Sequence, residues 1–145
     1  MMRKVLEINA EQVTPSAEDV LRGQGVPPDG KINNKTSDIT REALSRFQVL
    51  SRPIGLAMEV TQEQFEPVFH GEGKNAPSTP LDDIYPAARS LALFAVTLGE
   101  SLCDEISRLF DTNEYALGSM LDAAASEGAE LLAGEIEKCF RQHLT

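Results

Sequence analysis

From Glu114 to about Leu144 the chain reads as one long helix, and no other stretch constrains the fold as strongly. Leu117, Met120, Leu121, Ala124, Gly128, Leu131, Leu132, Ile136, Cys139 and Phe140 form a drifting apolar stripe at helical spacing. Thr112 or Asn113 is placed to cap it. Gly118, Gly128 and Gly134 each cost about 1 kcal/mol relative to Ala in a helix interior. A helix carrying three such costs is expected to exchange them for close packing, because small residues let a neighbouring helix or sheet approach.

The segments before it are shorter. "KVLEINA" (4–10) alternates apolar and polar residues and predicts a strand. "TPSAEDVLRGQG" (14–25) predicts a short helix, capped by Thr14 or Ser16 and ended by Gly23 or Gly25. Residues 26–35 are rich in Pro, Gly and Asn and read as a connection. "SDITREALSRFQVLSR" (37–52) predicts an amphipathic helix, with Ser37 as a plausible cap. "IGLAMEVT" (54–61) predicts a strand with Leu56, Met58 and Val60 on one face. "EQFEPVFH" (63–70) reads as a further strand that Pro67 would confine to an edge. Residues 71–83 lack periodicity and read as a surface loop, a kind of segment that also holds ligands in many proteins. "SLALFAVTLG" (90–99) is the most apolar run and predicts a central strand buried on both faces, with a buried helical turn as its rival. "ESLCDEISRLFDT" (100–112) predicts another amphipathic helix. About four strands and four helices in mixed order imply an α+β domain, a small mixed or antiparallel sheet with helices on one face.

A length of 145 residues fits a single domain, 1–145, able to bury a core without disulfide or metal staples. The formal net charge of −10 argues against nucleic acid or an anionic membrane as partner, since phosphate binding needs clustered Lys and Arg. No apolar run approaches the roughly 18 residues that span a bilayer. "MMRKVLEINAEQ" lacks the apolar core of a secretion signal, so a cytoplasmic location is expected. Cys103 and Cys139 lack zinc or redox spacing and read as buried free thiols. His70 and His143 have no metal-ligand partner nearby in sequence, and His143 falls in a last helical turn that favours a cation.

Nucleotide-binding and hydrolase motifs are absent from the sequence. Between Glu100 and Glu137 ten acidic residues face one basic residue, Arg108. Such a run reads first as a solvated helix face, and secondly as a surface that steers a basic partner or cationic group. Glu130 stands apart. It lies about 140° from the centre of the apolar stripe, at 100° per residue. Its neighbours Ala129 and Ala133 are small, with Ala123 and Ser126 on the preceding turns. That second face can pack and leave Glu130 lining a crevice, or it can face water.

Two passages, "SLALFAVTLGESLCDEISRLF" and "EYALGSMLDAAASEGAELLAGEIEKCFRQHL", resemble the activation domain of cobalamin-dependent methionine synthase. The matching pieces are Leu93-Phe94-Ala95-Val96, then Met120, Ala124 and Ala129-Glu130-Leu131-Leu132-Ala133. "LDAAAS…E" and the early Val20-Leu21-Arg22 with Gly25 are similar to the small stand-alone bacterial relatives of that domain. The resemblance is good over residues 86–144 and loose over 16–60. It implies binding of S-adenosylmethionine beside a corrinoid, where this methyl donor and an external electron restore methylcobalamin. It implies a corrinoid protein or methyltransferase as partner, an electron-donor protein, and cobalamin held only by the partner. By the same resemblance Glu130 is the carboxylate beside the sulfonium, and the chain is part of a methyltransferase system rather than a complete enzyme. In the family an Arg-led Pro-Gly-Tyr turn and an "LTES"-like strand follow the long helix, and the sequence here ends at Thr145. Three readings stay open: a truncated N-terminal portion, a site completed by another chain, or a docking and assembly module that has lost the ligand.

Overall fold

The computed structural model describes residues 3–71 and 85–144. Among them are three strands and six α-helices. In chain order these are β1 (Arg3–Glu7), α1 (Ala10–Val13), α2 (Ala17–Gly23), α3 (Asn34–Leu50), β2 (Ile54–Thr61), α4 (Gln62–Gly71), β3 (Ser90–Thr97), α5 (Glu100–Asp111) and α6 (Tyr115–Leu144), with a 3-10 turn at Tyr85–Ala87 before β3. The architecture is α+β, with a three-stranded antiparallel sheet in the order β1-β2-β3.

Local chemistry starts most of the helices. The Asp19 N–H donates to Ser16 Oγ at 3.1 Å, so Ser16 caps α2. The Thr36 N–H donates to Asn33 Oδ1 at 2.8 Å, so α3 begins four residues earlier than a Ser37 cap would place it. Asn9 and Gln12 form a reciprocal capping box around α1, a single turn whose first residue, Ala10, falls at the end of the stretch expected as the first strand.

Two expectations are overturned. Residues 63–70 form α4 rather than an edge strand. The Gln64 N–H donates to Thr61 Oγ1 at 3.2 Å, and the Thr61 N–H donates to Gln64 Oε1 at 2.9 Å. This Thr-x-x-Gln box satisfies helix-end donors at the point where β2 stops. Pro67 lies inside the helix, where it removes one backbone donor, and Phe65 supplies the compensating burial. The second correction concerns Ser90–Thr97, which is an edge strand; the central strand is β2. Ala92, Phe94 and Ala95 are exposed. An apolar run predicts burial on both faces, but among the described residues β3 has a strand neighbour on one side only.

That face is fixed by α6. Strand alternation puts Gly55 and Ala57 on the same side as their β3 partners Val96 and Phe94. The Phe94 ring meets Phe140 of α6 edge-on, with centroids 5.6 Å apart. A Cβ on Gly55 would overlap the end of the Ile136 side chain, so the missing side chain is what admits α6 to the sheet. Leu56, Met58 and Val60 share the other side of β2, as their alternation predicted.

At about 1.5 Å per residue, a 30-residue helix is about 45 Å long, more than the diameter of a small domain. Accordingly α6 runs through the whole molecule and contacts α1, α2, α3, α5, β2 and β3. Leu121, Ala124, Leu132 and Ile136 are fully buried along it, against Phe47 and Ala43 of α3 and Leu102 and Leu109 of α5. Leu131, read as part of the stripe, is 40% exposed instead. The cysteines also differ from expectation: Cys103 is exposed on α5 and Cys139 is half-buried on α6. Cys103 neighbours Leu102, which faces the core, so one position further round the helix turns it to solvent. Residues 72–83 of the expected loop, and the side chains of His70 and His143, lie outside the described residues.

Candidate functional site

Glu130 sits on α6 two residues after Gly128, a closely packed position of the helix. A Cβ on Gly128 would stand 2.6 Å from Phe47 Cε2 and 3.3 Å from the Val13 carbonyl oxygen. Two positions further on, the helix has turned from core to solvent, and Glu130 is exposed. Gly134, four residues along, has open space where a Cβ would be, and Leu131 beside it is partly exposed. The carboxylate therefore stands on an open, shallow surface made of small and apolar groups.

The small-residue face behind Glu130 is partly covered. Ala123 is buried, and the end of α2 lies over it: a Cβ on Gly23 would meet Ala123 Cβ at 3.9 Å and Glu127 Oε1 at 3.7 Å. Gln24 Nε2 donates to the Ser119 carbonyl at 3.1 Å, which ties the same end of α2 to α6. Glu130, one turn beyond Glu127, is exposed. Ala129 and Ala133 remain half-buried.

Other side chains form groups that the sequence did not bring together. Glu105 of α5 receives Arg46 Nη1 of α3 at 3.0 Å and the guanidinium of Arg108 one turn along α5. Arg46 Nε also binds Glu42 at 2.8 Å. The Arg108 hydrogen bond, followed by the charges of Arg108 and Arg46, holds the Glu105 carboxyl below its ordinary value against the opposing effect of burial. A Glu-x-x-Arg spacing on one helix was legible, but Arg46 is 59 residues away. An open cavity of about 500 Å³ adjoins this group, between Lys35 and Arg46 on one side and Glu114 and Tyr115 on the other.

A second cavity, of about 350 Å³, lies where β1 leads into α1 and α3 leads into β2. Glu7, Asn9, Ser51 and Arg52 are among the residues that line it. Arg52 Nη1 donates to the Val49 and Ser51 carbonyls at 3.0 and 2.9 Å, closing the end of α3. Ser51 Oγ is the one buried side-chain polar atom without a hydrogen-bond partner among the described residues. Glu130 belongs to neither cavity. Among the described residues, no group of three His, Cys, Asp or Glu side chains is placed to hold a metal, and no helix is long and apolar enough to cross a membrane.

Fold and surface together define an α+β domain organised on one long helix, with an exposed carboxylate on the side of that helix away from the core. No known family model matches the chain, and no curated protein matches it significantly.

Proposed function

We propose that this chain is a reactivation-domain-like component of a corrinoid-dependent methyl-transfer system, acting in the cytoplasm, and that it binds S-adenosylmethionine beside Glu130. The observation that supports this reading most is the accessibility of Glu130 next to Gly134, on the helix segment whose sequence resembles the activation domain of methionine synthase. A sulfonium is a fixed cation. A carboxylate 4 Å away attracts it by about 1 kcal/mol in water and by several times more where water is partly excluded. The exposed Glu130 is thus a weak partner alone and a stronger one once a corrinoid protein covers it. The partner carries the cobalamin, and an electron-donor protein supplies the electron that accompanies methyl transfer to cobalt.

Isothermal titration with S-adenosylmethionine and S-adenosylhomocysteine, whose sulfur is uncharged, tests the contribution of the sulfonium charge. The wild type is expected to favour the sulfonium, and Glu130→Ala to lose that preference by about fivefold, the effect of about 1 kcal/mol. No heat with either ligand up to millimolar concentration, with or without a corrinoid protein, overturns the binding role.

A second reading, a docking module without ligand, is favoured by the outer face of the sheet. Val5, Ile54, Leu56, Met58 and Leu93 share the side away from α6, and Val5 is 64% exposed. Capture of a corrinoid protein that is indifferent to S-adenosylmethionine supports this reading over the first.

A further inference from the structure

The first strand of the sheet carries an unusual arrangement of charge. β1 reads Arg-Lys-Val-Leu-Glu, and no described element lies beyond it. The Ile8 N–H donates to the Pro53 carbonyl at 3.1 Å, which extends the β1–β2 register by one residue. In an antiparallel ladder, residues alternate between pointing their main-chain groups at the partner strand and away from it. Ile8, Leu6 and Lys4 therefore bond inward to β2, whereas Arg3, Val5 and Glu7 direct their N–H and C=O groups out of the sheet edge. The same alternation places the side chains of Arg3, Val5 and Glu7 on one face, opposite to Leu6, which packs against the core. Arg3, Val5 and Glu7 are exposed, and neither Arg3 nor Glu7 forms an ion pair with a described residue.

We propose that β1 is a self-pairing edge: it joins antiparallel to β1 of a second copy about a two-fold axis at Val5, making one continuous six-stranded sheet. In that register Val5 lies opposite the partner's Val5, Arg3 opposite the partner's Glu7, and Glu7 opposite the partner's Arg3. All three pairs are of the bonded kind, so about six main-chain hydrogen bonds form where each edge alone has none. Both cross-strand charge pairs are attractive and lie on one face, with the two valines between them. Sliding by two residues in either direction loses both charge pairs, and sliding by one mismatches the bonding groups. The sequence of β1 thus specifies a single register.

The other edge has no such code. β3, Ser-Leu-Ala-Leu-Phe-Ala-Val-Thr, carries no charge to select a self-pairing register. The net charge of −10 opposes association of two copies, but that repulsion is screened beyond about 8 Å at physiological salt. β1 itself holds two cations, Arg3 and Lys4, against one anion, so the acidic excess is not at the junction. Pairing at the β1 edge does not depend on the role of Glu130.

Sedimentation equilibrium of the full chain, from about 10 µM to about 1 mM, is the test, a range suited to a small interface. A monomer–dimer equilibrium is expected. Arg3→Glu and Glu7→Arg each turn both charge pairs repulsive and should weaken the dimer about tenfold. The double variant, which restores complementarity, should recover to within about threefold of wild type. Val5→Pro removes the outward N–H without touching the ladder to β2 and should leave a folded monomer by circular dichroism. A monomer at every concentration overturns the proposal. So does a dimer whose stability ignores both charge reversals, because its interface then lies elsewhere.

Discussion

Ser51 closes α3 through its backbone, with its N–H donating to the Phe47 carbonyl at 2.9 Å, while its hydroxyl is buried without a partner. A buried polar atom that forms no hydrogen bond loses its hydration and gains nothing in return. Ser51→Ala is therefore expected to leave stability unchanged or raise it by about 1 kcal/mol, measured by urea denaturation. A loss of stability would mean that the hydroxyl is satisfied in solution. Gly128 and Gly134 make a sharper pair, since both interrupt the same helix. Gly128 faces Phe47 too closely for a Cβ, and Phe47 is fully buried and has nowhere to move. Gly128→Ala should cost about 1–3 kcal/mol through overpacking, whereas Gly134→Ala should gain up to about 1 kcal/mol from helix propensity. The expectation that small residues serve close approach holds at Gly128 and not at Gly134. Spacing along the stripe placed both in a helix, but which one meets another element depends on where α3 lies. Glu130 was singled out by its angle on the helix and by resemblance; neither indicated how open its surroundings are.

Among the elements, α3 and α5 are joined by the Arg46–Glu105–Arg108 group, whose side chains are largely shielded at Glu105, 19% exposed. With the Glu105 carboxyl held below its ordinary value of 4.5, the bridge contributes above that pH. It is lost as pH falls through the lowered folded value, because the unfolded chain then binds the proton more readily. Glu105→Gln should be about 1 kcal/mol less stable than wild type near neutral pH. The difference should shrink on acidification, which urea titrations along a pH series would show; a constant difference would assign the loss to packing. Element boundaries were legible where an expected cap sits beside the apolar period, as at Ser16. They failed at α4, where the Thr61–Gln64 box outweighs the strand-like pattern and the presence of Pro67. That signal is present in the sequence as Thr-Gln-Glu-Gln, directly before the strand-like stretch that Pro67 would confine to an edge.

Across the whole molecule, α6 is the shared surface on which α1, α2, α3, α5 and the sheet meet, and Gly55 is the opening through which Ile136 reaches β2. The sheet presents one face to α6 and leaves Val5, Leu56 and Met58 on the other. The sequence by itself determined the α+β class, the long C-terminal helix and the amphipathic character of α3 and α5, because these follow from periodicity and caps within a few turns of chain. Only the tertiary structure decided the order β1-β2-β3, the edge position of Ser90–Thr97, the exposure of Cys103 and the meeting of Arg46 with Glu105. Those depend on contacts between residues tens of positions apart. A run such as Ser-Leu-Ala-Leu-Phe-Ala-Val-Thr states how apolar a strand is, but the number of its neighbours is set by how the remaining elements pack around α6.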